Sequence, residues 1–349
     1  MATAMSRGVF LLLLLGISSR RAGSDTEWSY TGPEGEDHWA VSYPHCGKFQ
    51  QSPIDFHTGI YTYNPALEPI QLMGYNLSAT QKLSLTNDGH AVKVTLPPTM
   101  HIISMSHRYT AVQLHLHWGS ETEPVGSEHT ISGRHYPSEL HIVHYNSEKY
   151  ENVSVALDKE DGLAVLGILI KVRQFNAAYN QIFQHLKEIQ YKGEEVLIPG
   201  FNINDLLPSR LDEYFRYNGS LTTPPCYPSV QWTVFREPVE ISSEQLLELE
   251  SDLYFSNMSE HSRAEMVNNY RHVQELGERK VLISFQESRY AGHSLTPGVL
   301  ILVALGCVLL VMIALLLTIY FLKRRAGKTS ESRGAAYAAA AAEDRATQA

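Results

Sequence analysis

Gln113-Leu114-His115-Leu116-His117-Trp118 and, twenty residues further on, Glu139-Leu140-His141-Ile142-Val143-His144 decide the reading of this chain. Both alternate in the way a strand does, where residues two apart share a face. Gln113, His115 and His117 fall on one face, and Leu114, Leu116 and Trp118 on the other. In the second stretch Glu139, His141 and Val143 share a face, and His144 points away and is assigned to structure. His-x-His alone is weak among 16 histidines. The second strand strengthens it, because residues 119–138 can turn the chain and bring it alongside the first. Three imidazoles on adjacent strands suit a tetrahedral Zn2+ with one position open, the catalytic arrangement of that metal. Gln113 and Glu139 each precede a ligand by two residues, where they can orient His115 and His141.

Other short apolar or alternating runs read as strands: Leu83–Leu85, Ala91–Leu96, Leu163–Val172 and Val230–Phe235. Helical periodicity is sparser, at Ala177–Ile189 and Ser243–Leu253, the latter opened by Ser242 with Gln245 three residues on. The expected class is α+β: one domain on a large, mostly antiparallel twisted sheet with surface helices.

The ends of the 349-residue chain read differently. Residues 1–23 have a basic start, a short apolar core and small residues beyond it, the pattern of a secretory signal peptide. Residues 24–292 would form an extracellular domain, followed by a short stalk at 293–297. Gly298 to Leu322 carries no charge and is long enough to span a bilayer as a helix. Lys323, Arg324 and Arg325 follow it, which favours a single-pass type I protein of the cell membrane with its tail, 323–349, inside. The alanine-rich tail is expected to be disordered. The span contains no GxxxG pair, so it offers no argument for pairing, and the chain is compatible with a homodimer.

Of 37 acidic residues 34 lie between 24 and 322, against 19 of 28 basic ones, leaving this part 15 charges negative. That argues against nucleic acid or anionic lipid as a partner. Cys307 falls in the span. Cys46 and Cys226 remain as a pair in an oxidising compartment and are expected to form a disulfide, the alternative being two buried thiols. Sequons at Asn76, Asn152 and Asn257 resemble surface turns. A fourth, at Asn218, sits beside a segment expected to be packed and is set aside for that reason.

Gln51–Asp55, Asn87–His90, Gln113–Gly119, Gly126–Thr130, Glu139–His144, Asp161–Gly167 and Tyr217–Pro225 together resemble the alpha-class carbonic anhydrases, of the transmembrane type, over nearly the whole extracellular part. The resemblance implies reversible hydration of carbon dioxide to bicarbonate and a proton, by attack of zinc-bound hydroxide. It implies His115, His117 and His141 as zinc ligands, with Asn269 among the residues supporting them. Thr222 would accept a hydrogen bond from the hydroxide and donate to Glu128, which fits an acceptor-only carboxylate. Thr223 would line the cavity. Val143, Val165, Leu221, Val230 and Trp232 would form the apolar carbon dioxide pocket. His90 would shuttle protons, as a group titrating near neutrality can, with Tyr30 and Asn87 ordering water along its path. Asp88 and Lys93 depart from the commoner family pattern and bear on the proton step. Two rivals are weighed. A catalytically silent adhesion or receptor ectodomain would normally lack a zinc histidine. An iron-dependent cupin-type oxygenase would need a carboxylate ligand and leaves Ser220–Pro225 unexplained.

Overall fold

The computed structural model describes residues 27–286 apart from 262, and residues 302 and 304–324. The signal, stalk and tail expectations therefore lie outside the described residues. The described residues fall into two units, one up to Gln286 and one from Glu287 onward.

The first unit is built on a 13-stranded sheet. Its main path runs Glu195–Pro199, Lys82–Asn87, Val92–Thr95, Tyr109–Trp118, Ser138–Asn146, Leu163–Val172, Val230–Phe235, Tyr214–Gly219, Val281–Ile283 and Tyr61–Tyr63. Neighbours along the path are antiparallel except Leu163–Val172 beside Val230–Phe235, and Val281–Ile283 beside Tyr61–Tyr63. Leu163–Val172 is a near-continuous apolar run because it is central, with both faces covered and Leu163 to Ile170 buried.

The sheet separates two apolar clusters. Leu114, Leu116, Trp118, Leu140 and Ile142 pack on one side with Tyr179, Ile182 and Phe183 from the helix Ala177–Phe183. Val143, Val165, Val230, Trp232 and Phe215 pack on the other with Phe56. The helix is shorter than the periodicity predicts, and a 3-10 turn, Leu186–Glu188, follows it. Buried Phe183, Leu186 and Ile189 are spaced by three, the repeat of the tighter helix. The second helix, Ser243–Ser251, has a complete capping box from Ser242 and Gln245.

A bulge sets the phase of the histidine strand. Ala111 pairs with His144 and Gln113 with Val143, leaving Val112 as an extra residue. Ala111 thus joins the larger apolar cluster while Gln113, His115 and His117 turn to the opposite face.

His144, on the larger cluster's side, is fully buried: its Nδ1 donates to the Ala164 carbonyl and Tyr75 Oη lies 2.5 Å from its Nε2. Burial pushes its pKa down to about 4 from 6.5. The unfolded chain therefore takes up this proton first as pH falls. The stabilisation is complete above pH 6.5 and is lost towards pH 4, ~3 kcal/mol in all. Denaturant titrations at both pH values should show this loss in the native chain and a smaller one in His144→Gln.

Cys46 and Cys226 form the disulfide. It closes a loop of 180 residues, worth in principle about 5 kcal/mol through the unfolded chain. Asn76 and Asn152 are exposed and Asn257 is partly so, its side chain bonded to Glu260. Asn218 is exposed as well, although Tyr217 and Gly219 on either side are buried. Strand alternation puts it outward, so packing is no ground for setting that sequon aside. In the second unit, Ala304–Arg324 is a helix of 21 residues whose most apolar 18-residue stretch has mean hydropathy 2.8, long and apolar enough to cross a membrane.

Candidate metal centre

His115 lies directly opposite His141 across the two strands, and His117 is opposite Glu139. Ring centroids are 4.9 Å apart for His115 and His117, 5.2 Å for His115 and His141, and 4.6 Å for His117 and His141. One nitrogen of each ring is engaged. His115 Nδ1 donates to Gln113 Oε1 at 2.9 Å, His117 Nδ1 to the Asn269 carbonyl at 2.7 Å, and His141 Nε2 to Glu139 Oε1 at 2.7 Å. The other nitrogens, Nε2, Nε2 and Nδ1, are left as lone-pair donors, and the three side chains can offer ligand atoms within 4.8 Å of one another.

This donor set fits a cation. His117 Nε2 and His141 Nδ1 face each other at 3.1 Å with no proton left for either to share. Glu128 Oε2 sits 3.5 Å from the first and 3.8 Å from the second, buried and without a hydrogen-bond partner among the described residues. A positive ion between the rings would satisfy both ring lone pairs, with the Glu128 carboxylate close by to balance its charge. Burial, then repulsion from His117, His141 and Lys93, holds His115 well below the ordinary histidine range, so it is neutral as a metal ligand must be. Burial lowers His117 too, despite Glu128. Burial alone would raise Glu139, but His129 and His141 charge and hydrogen-bond its carboxyl far below the usual range.

His129, Glu139 and His141 also approach within ligand distance of one another. They are joined by direct hydrogen bonds: His129 Nδ1 and His141 Nε2 both donate to Glu139 Oε1 at 2.7 Å. That trio is a support for the first.

The sheet's cross-strand rows bring the pocket residues together. Gln113, Val143, Val165 and Trp232 face one another in register, and Trp232 stands 4.8 Å from the His141 ring. Val230 is buried in the same cluster and Leu221 packs against it. Thr222 is 5% exposed and Thr223 half-buried. The hydrogen bond expected from Thr222 to Glu128 is not formed here; Glu128 Oε1 accepts instead from the Arg271 backbone N–H at 2.9 Å. Asn269 does more than its carbonyl alone. Its Oδ1 accepts from Trp118 N–H, and its Nδ2 donates to the His90 carbonyl at 3.1 Å, tying the histidine strand to the His90 turn.

His90 stacks flat on Trp28 at 3.8 Å. Asp88 Oδ1 accepts from the backbone N–H of His90 and Ala91, and its Oδ2 pairs with Lys93 at 3.1 Å. Burial lowers the His90 pKa against the opposing pull of Asp88. Tyr30 is buried beside Trp28 and Trp39, and burial raises its hydroxyl well above the ordinary value, with Glu128 and Asp88 adding to the rise. Asn87 departs from its expected place. It is fully buried, its Nδ2 donates to the carbonyls of Gln190 and Tyr254, and its Oδ1 accepts from Gly89 N–H. Both its N–H bonds hold backbone, so in this structure it shapes the turn.

A cavity of about 750 Å3 lies between residues 46–51 and 274–279, and none of the three histidines lines it. Size does not locate this centre; the convergence of lone pairs does. The sequence reading missed His129, Arg271 and Trp28. His129 lies inside the Gly126–Thr130 stretch, but nothing in the local pattern aims it at Glu139.

Residues 34–285 match the sequence model of the eukaryotic-type carbonic anhydrases. The chain belongs to the eukaryotic-type carbonic anhydrase family. It is similar to Homo sapiens carbonic anhydrase 12, 48% identical over 332 residues that cover 94% of each chain. Homo sapiens carbonic anhydrase 6 is 37% identical over 81% of this chain and 92% of its own. Homo sapiens carbonic anhydrase 7 is 38% identical over 74% and 97%. Membership sets aside the cupin reading, since the histidine strand belongs to a carbonic anhydrase sheet. As a carbonic anhydrase the chain is an enzyme acting on a small molecule.

Proposed function

We propose that this carbonic anhydrase is zinc-dependent and interconverts carbon dioxide and bicarbonate outside the cell. The observation that carries the zinc reading is the set of three inward lone pairs, each fixed by a hydrogen bond to the ring's other nitrogen. When bound, zinc supplies a Lewis acid that lets water ionise at about pH 7, a magnitude that belongs to carbonic anhydrases in general.

The chain's own residues do the rest. His115, His117 and His141 hold the ion, and Gln113, Asn269 and Glu139 keep their rings turned to it. The unpartnered Glu128 Oε2 is open to the Thr222 hydroxyl proton. With its O–H donated to Glu128, the Thr222 oxygen can only accept from a reacting hydroxyl, which turns that hydroxyl's own lone pair toward the substrate. Val143, Val165, Leu221, Val230 and Trp232 offer carbon dioxide an apolar wall. His90, lowered below the usual value and therefore neutral at pH 7, accepts the released proton and passes it to buffer. The disulfide supports an oxidising compartment. The apolar helix, ending in Lys323 and Arg324, supports membrane anchorage with the enzyme outside.

The test is carbon dioxide hydration by the purified full chain. Activity should vanish with a zinc chelator and return with zinc but not iron. In the same assay His90→Ala should be slow in weak buffer and recover with imidazole. Full activity after metal removal would end the zinc reading, and a variant indifferent to imidazole would remove His90 from the proton path.

A further inference from the structure

Asn218-Gly219-Ser220 is a glycosylation sequon that begins on the strand Tyr214–Gly219. A sequon is read on the chain before it folds, so the burial of Ser220 is no bar. The fold has only to leave the Asn218 amide outside and unspent. Asn218 is exposed, and its side chain makes no hydrogen bond among the described residues; its backbone carbonyl alone is held, by Arg279 Nη1 at 3.5 Å. Two other sequons are more committed. Asn257 spends Nδ2, the atom a sugar would take, on Glu260 at 2.7 Å. Asn152 spends Oδ1 on the Val155 N–H, capping the short helix Val153–Ala156.

Asn218 also lines a cavity of about 450 Å3, with Ser106, Tyr109, Tyr150, Lys159 and Gln231 among its other walls. Asn218 and Gln231 stand directly opposite each other on antiparallel strands, which puts their Cβ atoms about 4.5–5.5 Å apart. A sugar joined to Asn218 Nδ2 therefore starts at the lip of this cavity. The lining suits it. Arg216 can only donate, and its Nη1 reaches Gln231 Oε1, so Gln231 keeps its Nε2 donors for another partner. Tyr109 and Tyr150 have their hydroxyls fixed on Asp161, at 3.1 and 2.8 Å, which leaves ring carbon for the C–H face of a sugar. Gln231 pairs with Ala164 of the larger apolar cluster, while Val230 and Trp232 on either side belong to the other cluster. The cavity is thus on the sheet face turned away from the three histidines.

We propose that Asn218 is N-glycosylated and that the first sugars of its glycan sit in this cavity, against Gln231 and Tyr150. The co-reactant is an oligosaccharide pyrophosphate. Nδ2 attacks its anomeric carbon, the C–N bond forms, and the C–O bond to pyrophosphate breaks with the electron pair leaving on oxygen. Nδ2 gives up one of its two protons to a base of the transferring enzyme. The proposal rests on the enzyme facing outside the cell, and the experiment separates the two.

The full chain is made in cells that glycosylate exported proteins, and its peptides are weighed by mass spectrometry. An amidase that cleaves the Asn–sugar bond and leaves Asp is then timed at position 218, on native and on denatured protein. Asn218 should carry a glycan. Gln231→Ala and Tyr150→Ala should keep it and lose it to the amidase roughly tenfold faster than native chain does when folded, the factor of one or two net hydrogen bonds. After denaturation all three should react alike. Slow release caused only by the strand backbone would not respond to either side chain, so a native rate in both folded variants would overturn the seating. If one variant does not fold, the other decides. A bare Asn218 beside sugars on Asn76, Asn152 or Asn257 would overturn the proposal and leave the outward-facing enzyme standing. Bare asparagine at all four sequons would overturn both.

Discussion

His141→Ala should abolish stoichiometric zinc and lower carbon dioxide hydration by at least ~10³-fold, because without the ion the pKa of water returns from about 7 to that of bulk solvent. Two ring nitrogens cannot make the three-histidine set. The same substitution removes one of the N–H donors that holds Glu139 down, leaving a buried carboxylate short of a partner. Some stability should go with the metal, about 1–3 kcal/mol. Metal analysis, stopped-flow hydration and a denaturant titration on the full chain read the three effects separately. One zinc per chain, with activity within tenfold of native, would show that His141 is not a ligand.

Thr222→Ala should behave differently. Zinc should stay, since no ring or ring support is touched, while hydration falls by roughly 10²–10³-fold, the usual worth of one preorganised hydrogen bond at a reacting oxygen. Thr222 makes no hydrogen bond to Glu128 Oε2 among the described residues, so stability should change little. Thr222→Ser keeps the hydroxyl and should restore most of the rate. Loss of zinc in Thr222→Ala, or a rate within threefold of native, would remove Thr222 from the reaction.

Much of the site is legible in the sequence because strand alternation is a local rule. It puts Gln113 with His115 and His117, and Glu139 with His141, whatever the rest of the chain does. Asn269, in contrast, reaches His117 across 152 residues of sequence, and only the resemblance pointed to it. The surroundings of Asn87 have the same origin. The resemblance gives it a water-ordering role, while its Nδ2 is held by the carbonyls of Gln190 and Tyr254, more than a hundred residues away. Asn218 failed in the other direction. It lies beside a segment expected to be packed, and alternation turns it outward between buried Tyr217 and Gly219.

By itself the sequence determined which side chains could act together, an apolar segment at the end long enough to span a bilayer, and a cysteine pair, since period, run length and composition are short-range properties of the chain. Tertiary structure decided that the two histidine strands are neighbours in the register His115 to His141, and that the bulge at Val112 turns the imidazoles away from the larger apolar cluster. It also decided which nitrogen of each ring is free, because that choice belongs to partners such as Asn269, brought in by folding from a distant part of the chain.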